Sequence, residues 1–224
     1  MQGQGTASLV GCGAKPRSFK VFGVVNMRLG IMGGTFDPIH IGHLLTAECV
    51  LESLNLDSVI FIPANIPPHK RDKAINPPYH RLRMTLAATS NNPKFQVSNI
   101  ELNRQGPSYT IDTISELKKI YIGSTFYFIT GADAINDLAT WHEAKNLLKS
   151  CHFVAATRAG VNLEREALEN TFGELAKTNI HEVTTKRIEI SSTEIRERVA
   201  AGKNISYMVP SAVAKYIAEE GLYK

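Results

Sequence analysis

The stretch GGTFDPIHIGHLLTAE, Gly33–Glu48, decides how this chain is read. It sets two glycines, an Asp-Pro pair and two histidines three positions apart directly before an apolar run at helical spacing. A plain strand-to-helix turn needs far less. Glycines let backbone approach a ligand closely, although a tight turn alone would also use them. His40 and His43 bracket the start of the helix, where unpaired N–H groups and the helix dipole favour anions. Two imidazoles there can donate hydrogen bonds to phosphate oxygens. The stretch matches neither the dinucleotide fingerprint GxGxxG nor the Walker phosphate loop, so hydride transfer and Walker-type binding lose support. Zinc is disfavoured because no third ligand is near.

Working outward, MRLGIMGG reads as a short buried strand feeding the glycines, and HLLTAECVLESLNL as the helix that follows. DSVIFIPA is the next strand, ended by Pro63. NIPPHKRDKAINPPY is a long polar, proline-rich loop of the kind that forms lids or binding loops. HRLRMTLAATSN then reads as helix, KFQVSNIEL as strand, TIDTISELKKI as helix and STFYFITG as strand. DAINDLATWHEAKNLLKS is helical with a break near Thr140, CHFVAATRAG is a strand, and NLEREALENTFGELAK is one helix. IHEVTTKRIEI is extended, SSTEIRERVAAG is a capped helix, and PSAVAKYIAEEGLYK is a last helix with Pro210 at its start.

This alternation predicts an α/β fold: a doubly wound, mostly parallel, Rossmann-like sheet with helices on both faces. Ligands in such sheets bind at the carboxyl ends of the strands, near the switch in strand order. Residues 27–224 read as a single domain. Residues 1–26 hold no acidic residue and no long apolar run, and read as a disordered extension or a start site placed too early.

Composition narrows the function. The 224 residues are 43% hydrophobic and 21% charged, with a net charge of +4. That small excess suits an anionic small substrate. It is too dispersed for nucleic acid, and no apolar run is long enough to span a membrane. Cys12, Cys49 and Cys151 form no metal or disulfide pattern, which suits a reducing cytoplasm. Cys49 and Cys151 are expected to pack as small hydrophobes. A homo-oligomer is left open.

A second motif lies far downstream. In ISSTEIR, Ile190–Arg196, the hydroxyls of Ser191, Ser192 and Thr193 meet unpaired N–H groups at a helix start. Arg196, one turn on, can offer a forked donor to phosphate. An ordinary N-cap with a solvated arginine is the alternative. Together, His40-Ile41-Gly42-His43 and this stretch resemble the two signatures of the HxGH nucleotidyltransferase superfamily. Within it, the chain most resembles the bacterial nicotinate-nucleotide adenylyltransferases. The resemblance runs from about Arg28 to the C-terminus, through IPANIPPHK, GPSYTIDTI, FITGADAINDLATWHEAKNLL and FVAATRAG.

The resemblance implies adenylyl transfer from ATP to nicotinate mononucleotide, giving deamido-NAD and pyrophosphate. His43, His40 and Arg196 are the implied catalytic groups. Gly33, Gly34, Thr35, Phe36, His40, His43, Ser191, Ser192, Thr193, Ile195 and Arg196 are the implied ATP set. Asn65, Lys70, Tyr109, Thr110, Gly131, Asp133, Trp141 and Arg158 are the implied mononucleotide set. Trp141, the only tryptophan, can stack on a pyridine ring or simply fill the core. Thr110 is either a carboxylate holder or a helix cap, and Asp133 a ribose acceptor or a cap. Lys70 and Arg158 meet phosphate or carboxylate, or only solvent. The loop reads RAG, with Ala159 where the family has proline.

No nucleophilic side chain is needed, because such transfers rest on positioning and charge neutralisation. Mg2+ is expected to ride mainly on the ATP phosphates, since no carboxylate cage is evident. Two rivals stand. One is a related adenylyl- or cytidylyltransferase with another phosphorylated acceptor. The other is a nucleotide-binding sensor without turnover. A class I aminoacyl-tRNA synthetase shares the HxGH chemistry but needs a longer chain.

Overall fold

The computed structural model describes residues 26–66, 75–157, 162–186 and 188–224. The expected extension at 1–25, the basic loop with Lys70, and the Arg158–Ala159 loop lie outside them. Six apolar runs form strands: β1 (Arg28–Gly34), β2 (Ser58–Pro63), β3 (Phe95–Val97), β4 (Thr125–Gly131), β5 (His152–Thr157) and β6 (Ile180–Thr184). They pair in the order β3-β2-β1-β4-β5-β6, and all five pairings are parallel. Parallel strands need crossovers, which the helices supply.

Those helices are α1 (Ile41–Ser53), α2 (Pro78–Thr89), α3 (Thr110–Ile120), α4 (Ala132–Asn136), α5 (Ala144–Ser150), α6 (Arg165–Phe172), α7 (Glu174–Asn179), α8 (Ser192–Ala200) and α9 (Ser211–Glu219). Alternate strand residues point to opposite faces, so the sheet carries two cores. Leu29, Ile31, Phe126, Phe128 and Phe153 pack under α3, α5, α6 and α7. Met32, Phe61, Tyr127, Ile129 and Val154 pack under α1, α2, α8 and α9. The four central strands, β2, β1, β4 and β5, are consequently buried along most of their length rather than alternating, as in sheets covered on both sides.

Three elements differ from the sequence reading. β3 stops at Val97, because Ser98 turns the chain and its hydroxyl accepts the Ile100 N–H at 3.3 Å. The helix read over 162–177 breaks at Gly173, whose φ of 61° is open to glycine. The run read as extended over 180–190 is strand only as far as Thr184, with the Thr185 N–H still bonded to the Thr157 carbonyl at 2.8 Å. The predicted break near Thr140 is present as a single 3-10 turn, Leu138–Thr140.

Candidate active site

Backbone geometry at the end of β1 brings two imidazoles together. His40 caps α1. Its N–H donates to Nδ1 of His43 at 3.2 Å, and the His43 N–H donates to the His40 carbonyl at 3.0 Å. The rings therefore lie one over the other, centroids 3.7 Å apart. A neutral His43 ring that accepts at Nδ1 carries its proton on Nε2. Phe36 sets its ring edge-on to His43 at 5.2 Å.

His40 is 7% exposed, and burial pushes its imidazole down to about 4, so it is neutral at pH 7. Its Nδ1 is buried with no hydrogen-bond partner, which native structures rarely leave without a functional reason. Gly42 lies against this ring: a Cβ there would stand 3.0 Å from His40 Nδ1, so the ring would have to give way by a few tenths of an ångström. Gly34 answers to a ring as well, since its Cβ would strike Phe36 at 3.0 Å. Of the two loop glycines, Gly33 faces the open space.

That space is a cavity of about 300 Å³ at the carboxyl ends of β1, β4 and β5. It sits where the strand order reverses between β1 and β4, as the sequence reading expects. Its walls include His40, Gly42, His43, Asp133, Lys186 and Ile190.

The second motif arrives at the same loop. Ser191 caps α8, its hydroxyl accepting the Glu194 N–H at 3.1 Å. Ser192 Oγ donates to the Pro38 carbonyl at 2.8 Å, and Arg196 Nη1 to the Asp37 carbonyl at 2.8 Å. Arg196 Nη2 donates to Thr193 Oγ1 at 3.1 Å. The Ile41 N–H, at the head of α1, donates to the Met208 carbonyl at 3.0 Å. The first turn of α8 is thus stitched to the loop that ends in His40.

A second cavity, of about 360 Å³, opens beside the N-terminus of α3 between Tyr109, Thr110, Trp141 and His142. Tyr109 and His142 lie ring over ring at 4.4 Å, tilted by 31°. Trp141 stands edge-on to Phe128 at 5.8 Å and to Phe153 at 5.9 Å. The Phe128 ring also comes 3.4 Å from where a Gly33 Cβ would be, so one side chain touches a wall of each cavity. Asn65 braces the second cavity: its N–H donates to Ser108 Oγ at 3.0 Å and its Nδ2 to the Arg104 carbonyl at 2.9 Å.

Comparison with known proteins decides the family. The profile described as Cytidylyltransferase-like matches residues 31–198. A relative from Thermoanaerobacter is 54% identical over 88% of this chain and 95% of its own length, and one from Moorella thermoacetica is 48% identical over 88% and 92%. Both carry the name "Probable nicotinate-nucleotide adenylyltransferase". The chain belongs to the cytidylyltransferase-like family, with the nicotinate-nucleotide adenylyltransferases. At the level of fold, it resembles the Plasmodium falciparum nicotinic acid mononucleotide adenylyltransferase complexed with NaAD. That likeness has a TM-score of 0.73 at 20% identity and covers 88% of this chain and 98% of that one.

With the nucleotidyltransferase family in hand, the placement of each expected residue is informative. Gly33, His40 and His43 share one cavity with Gly131 and Asp133, which were expected on the mononucleotide side. Tyr109, Thr110 and Trp141 share the other. Phe36 is 2% exposed and backs His43 from beneath. Ile195 is fully buried in the core under α8, and its N–H bonds the Ser191 carbonyl at 3.1 Å, so its side chain anchors the helix. Cys49 is a correction, half-exposed on the cavity wall rather than packed away. Cys151 is buried as expected, and burial pushes its thiol up to about 12.

Sequence alone assigns no role to Arg81 and Tyr223, which lie beneath the loop, to Asp37 within it, or to Lys186 on the cavity wall. For Arg81 a signal existed. It shares a helix face with Met84 and Thr85, both buried, so its spacing is that of a core residue.

Proposed function

We propose that the chain transfers the adenylyl group of ATP to nicotinate mononucleotide. A mononucleotide phosphate oxygen attacks the α-phosphorus, the bond from that phosphorus to the bridging oxygen breaks, and pyrophosphate leaves. The observation that carries this reading is the imidazole pair at the head of α1, fastened to α8 beside a cavity at the strand-order switch. His43, donating from Nε2, stabilises charge growing on the α-phosphate. His40, neutral at pH 7, supplies a second hydrogen bond without the cost of burying a cation.

Gly33, Gly34, Thr35 and Phe36 carry the loop past the triphosphate. Ser191, Ser192, Thr193 and Arg196 hold the β- and γ-phosphates at the N-terminus of α8. Asp133 accepts from a ribose, and Gly131 keeps the end of β4 open. Trp141 stacks on the pyridine, Tyr109 walls it, and the first turn of α3 at Thr110 takes its carboxylate. Lys70 and Arg158 complete the mononucleotide set at phosphate or carboxylate.

Asp133 is the one carboxylate among the described residues lining the imidazole cavity, and no cluster of three metal-ligating side chains occurs among the described residues. The residues therefore fit a divalent cation, Mg2+ in this proposal, held by substrate phosphates and water. Bound there, it would neutralise phosphate charge. A cytoplasmic setting belongs to the same reading, with Cys49 and Cys151 both unpaired.

The test is pyrophosphate release from ATP with nicotinate mononucleotide, its amide counterpart or pantetheine phosphate as acceptor. Fastest release with the acid supports the proposal. Faster release with pantetheine phosphate moves the chain to another acceptor, and ATP binding without release with any acceptor makes it a sensor.

A further inference from the structure

We infer that Arg81, Asp37 and Tyr223 form a buried positioning hub that fixes the loop beneath His43 and so governs turnover without touching either substrate. Arg81 is 1% exposed, yet every nitrogen of its guanidinium is engaged. Nε donates to the Asn76 carbonyl at 3.0 Å, Nη1 to those of Thr35 at 2.9 Å and Ala64 at 2.7 Å, and Nη2 to that of Asn65 at 3.3 Å. Four carbonyls from the ends of β1 and β2 and from the approach to α2 converge on one cation. Without it their dipoles would repel, and each would be left unsatisfied.

Asp37, 4% exposed, is the counter-charge. Its Oδ1 accepts from the Tyr223 hydroxyl at 2.7 Å and from Asn76 Nδ2 at 3.0 Å, and its Oδ2 accepts the Asn76 N–H at 3.2 Å. A buried arginine held by carbonyls and a nearby carboxylate is costly to disrupt from either side.

The placement gives the hub its purpose. Thr35 and Asp37 flank Phe36, and Phe36 is the ring set against His43. Arg81 holds one neighbour of Phe36 by its carbonyl, while Tyr223 and Asn76 hold the other by its carboxylate. From the opposite side, Ser192 and Arg196 hold the carbonyls of Pro38 and Asp37. The loop is clamped above and below, and His43 inherits its position from that clamp. Neither Arg81, Asp37 nor Tyr223 is among the residues lining the two described cavities.

This inference rests on His43 being the group that meets the α-phosphate. Tyr223→Phe tests it by removing one oxygen. Turnover should fall about tenfold, because a small misplacement at a reacting centre is expensive, while KM for ATP and for the mononucleotide stays within about twofold. In 15N spectra the His43 ring should lose the single Nε2–H tautomer signature of the wild type. Arg81→Lys should cost more, about a hundredfold, since one ammonium cannot span four carbonyls. If that variant does not fold, Tyr223→Phe decides alone. A Tyr223→Phe enzyme with wild-type turnover and an unchanged His43 spectrum overturns the hub, as does a loss confined to KM or to thermal stability. A wild-type protein that releases no pyrophosphate overturns the transfer reading instead, and the His43 spectrum still judges the hub.

Discussion

The cavity under His40 and His43 is held by hydrogen bonds that reach across the chain, Ser192 to Pro38 and Arg196 to Asp37. The cavity beside Trp141 is made by two short stretches, 108–110 and 140–147, whose rings pack on one another. The first wall carries the two imidazoles, of which His40 is buried, on a loop braced from α8. The second is aromatic and half-open, with Trp141 partly buried against Phe128 and Phe153. Donors aimed at developing charge must sit within fractions of an ångström, whereas a flat ring recognised by stacking tolerates more play. In the proposed function the first region serves the reaction and the second serves recognition.

Substitutions can break that separation. His43→Ala should have the largest effect, lowering kcat by about a hundredfold to a thousandfold with the fold retained, as the loss of one preorganised donor does elsewhere. Circular dichroism and steady-state pyrophosphate release check it, and near-normal turnover would remove His43 from the chemistry. Trp141→Ala should act at the other cavity, raising KM for the mononucleotide about tenfold to a hundredfold through lost stacking while KM for ATP holds. A comparable rise in KM for ATP would dissolve the division between the two regions.

Gly42→Ala sharpens the contrast. The new methyl would meet the buried His40 ring at 3.0 Å and push it against His43. A fall of about tenfold in kcat is expected, with mononucleotide affinity untouched in a direct binding measurement.

The smallest effect is on stability against pH. Burial holds His40 at about 4 against an ordinary 6.5, so between those values the unfolded chain carries the extra proton. The stability gained by burying a neutral ring is complete above about pH 6.5 and is lost as pH falls toward 4. Thermal melts of the wild type and His40→Gln should show a drop smaller in the variant by on the order of 5 °C over that range. His152 and His181 are also depressed, chiefly by burial, but remain in both proteins, so the difference isolates His40.

Much of this was legible before any coordinates, for identifiable reasons. Apolar runs such as STFYFITG announce buried parallel strands, and the glycines and histidines of the first loop announce a ligand. The break near Thr140 was also expected, and it is there as a 3-10 turn. What stayed hidden depends on contacts distant in sequence. Nothing local says that Arg196 will spend one nitrogen on the Asp37 carbonyl, or that Tyr223 will reach the same residue's carboxylate. Nor does anything local say that a Cβ at Gly34 would stand 3.0 Å from Phe36. Ile195 carries a motif position and turns inward, because α8 must bury one face.

The tie between Ile41 and Met208, with those from Ser192, Arg196 and Tyr223, sets an order of assembly during synthesis. A nascent chain that has emerged only through Thr184 already owns every strand described here, yet its histidine loop has none of these four anchors. A chain cut short after β6 would lack all four anchors and also α8 and α9, so the same last stretch of polypeptide closes one apolar face of the sheet and fastens the histidine loop.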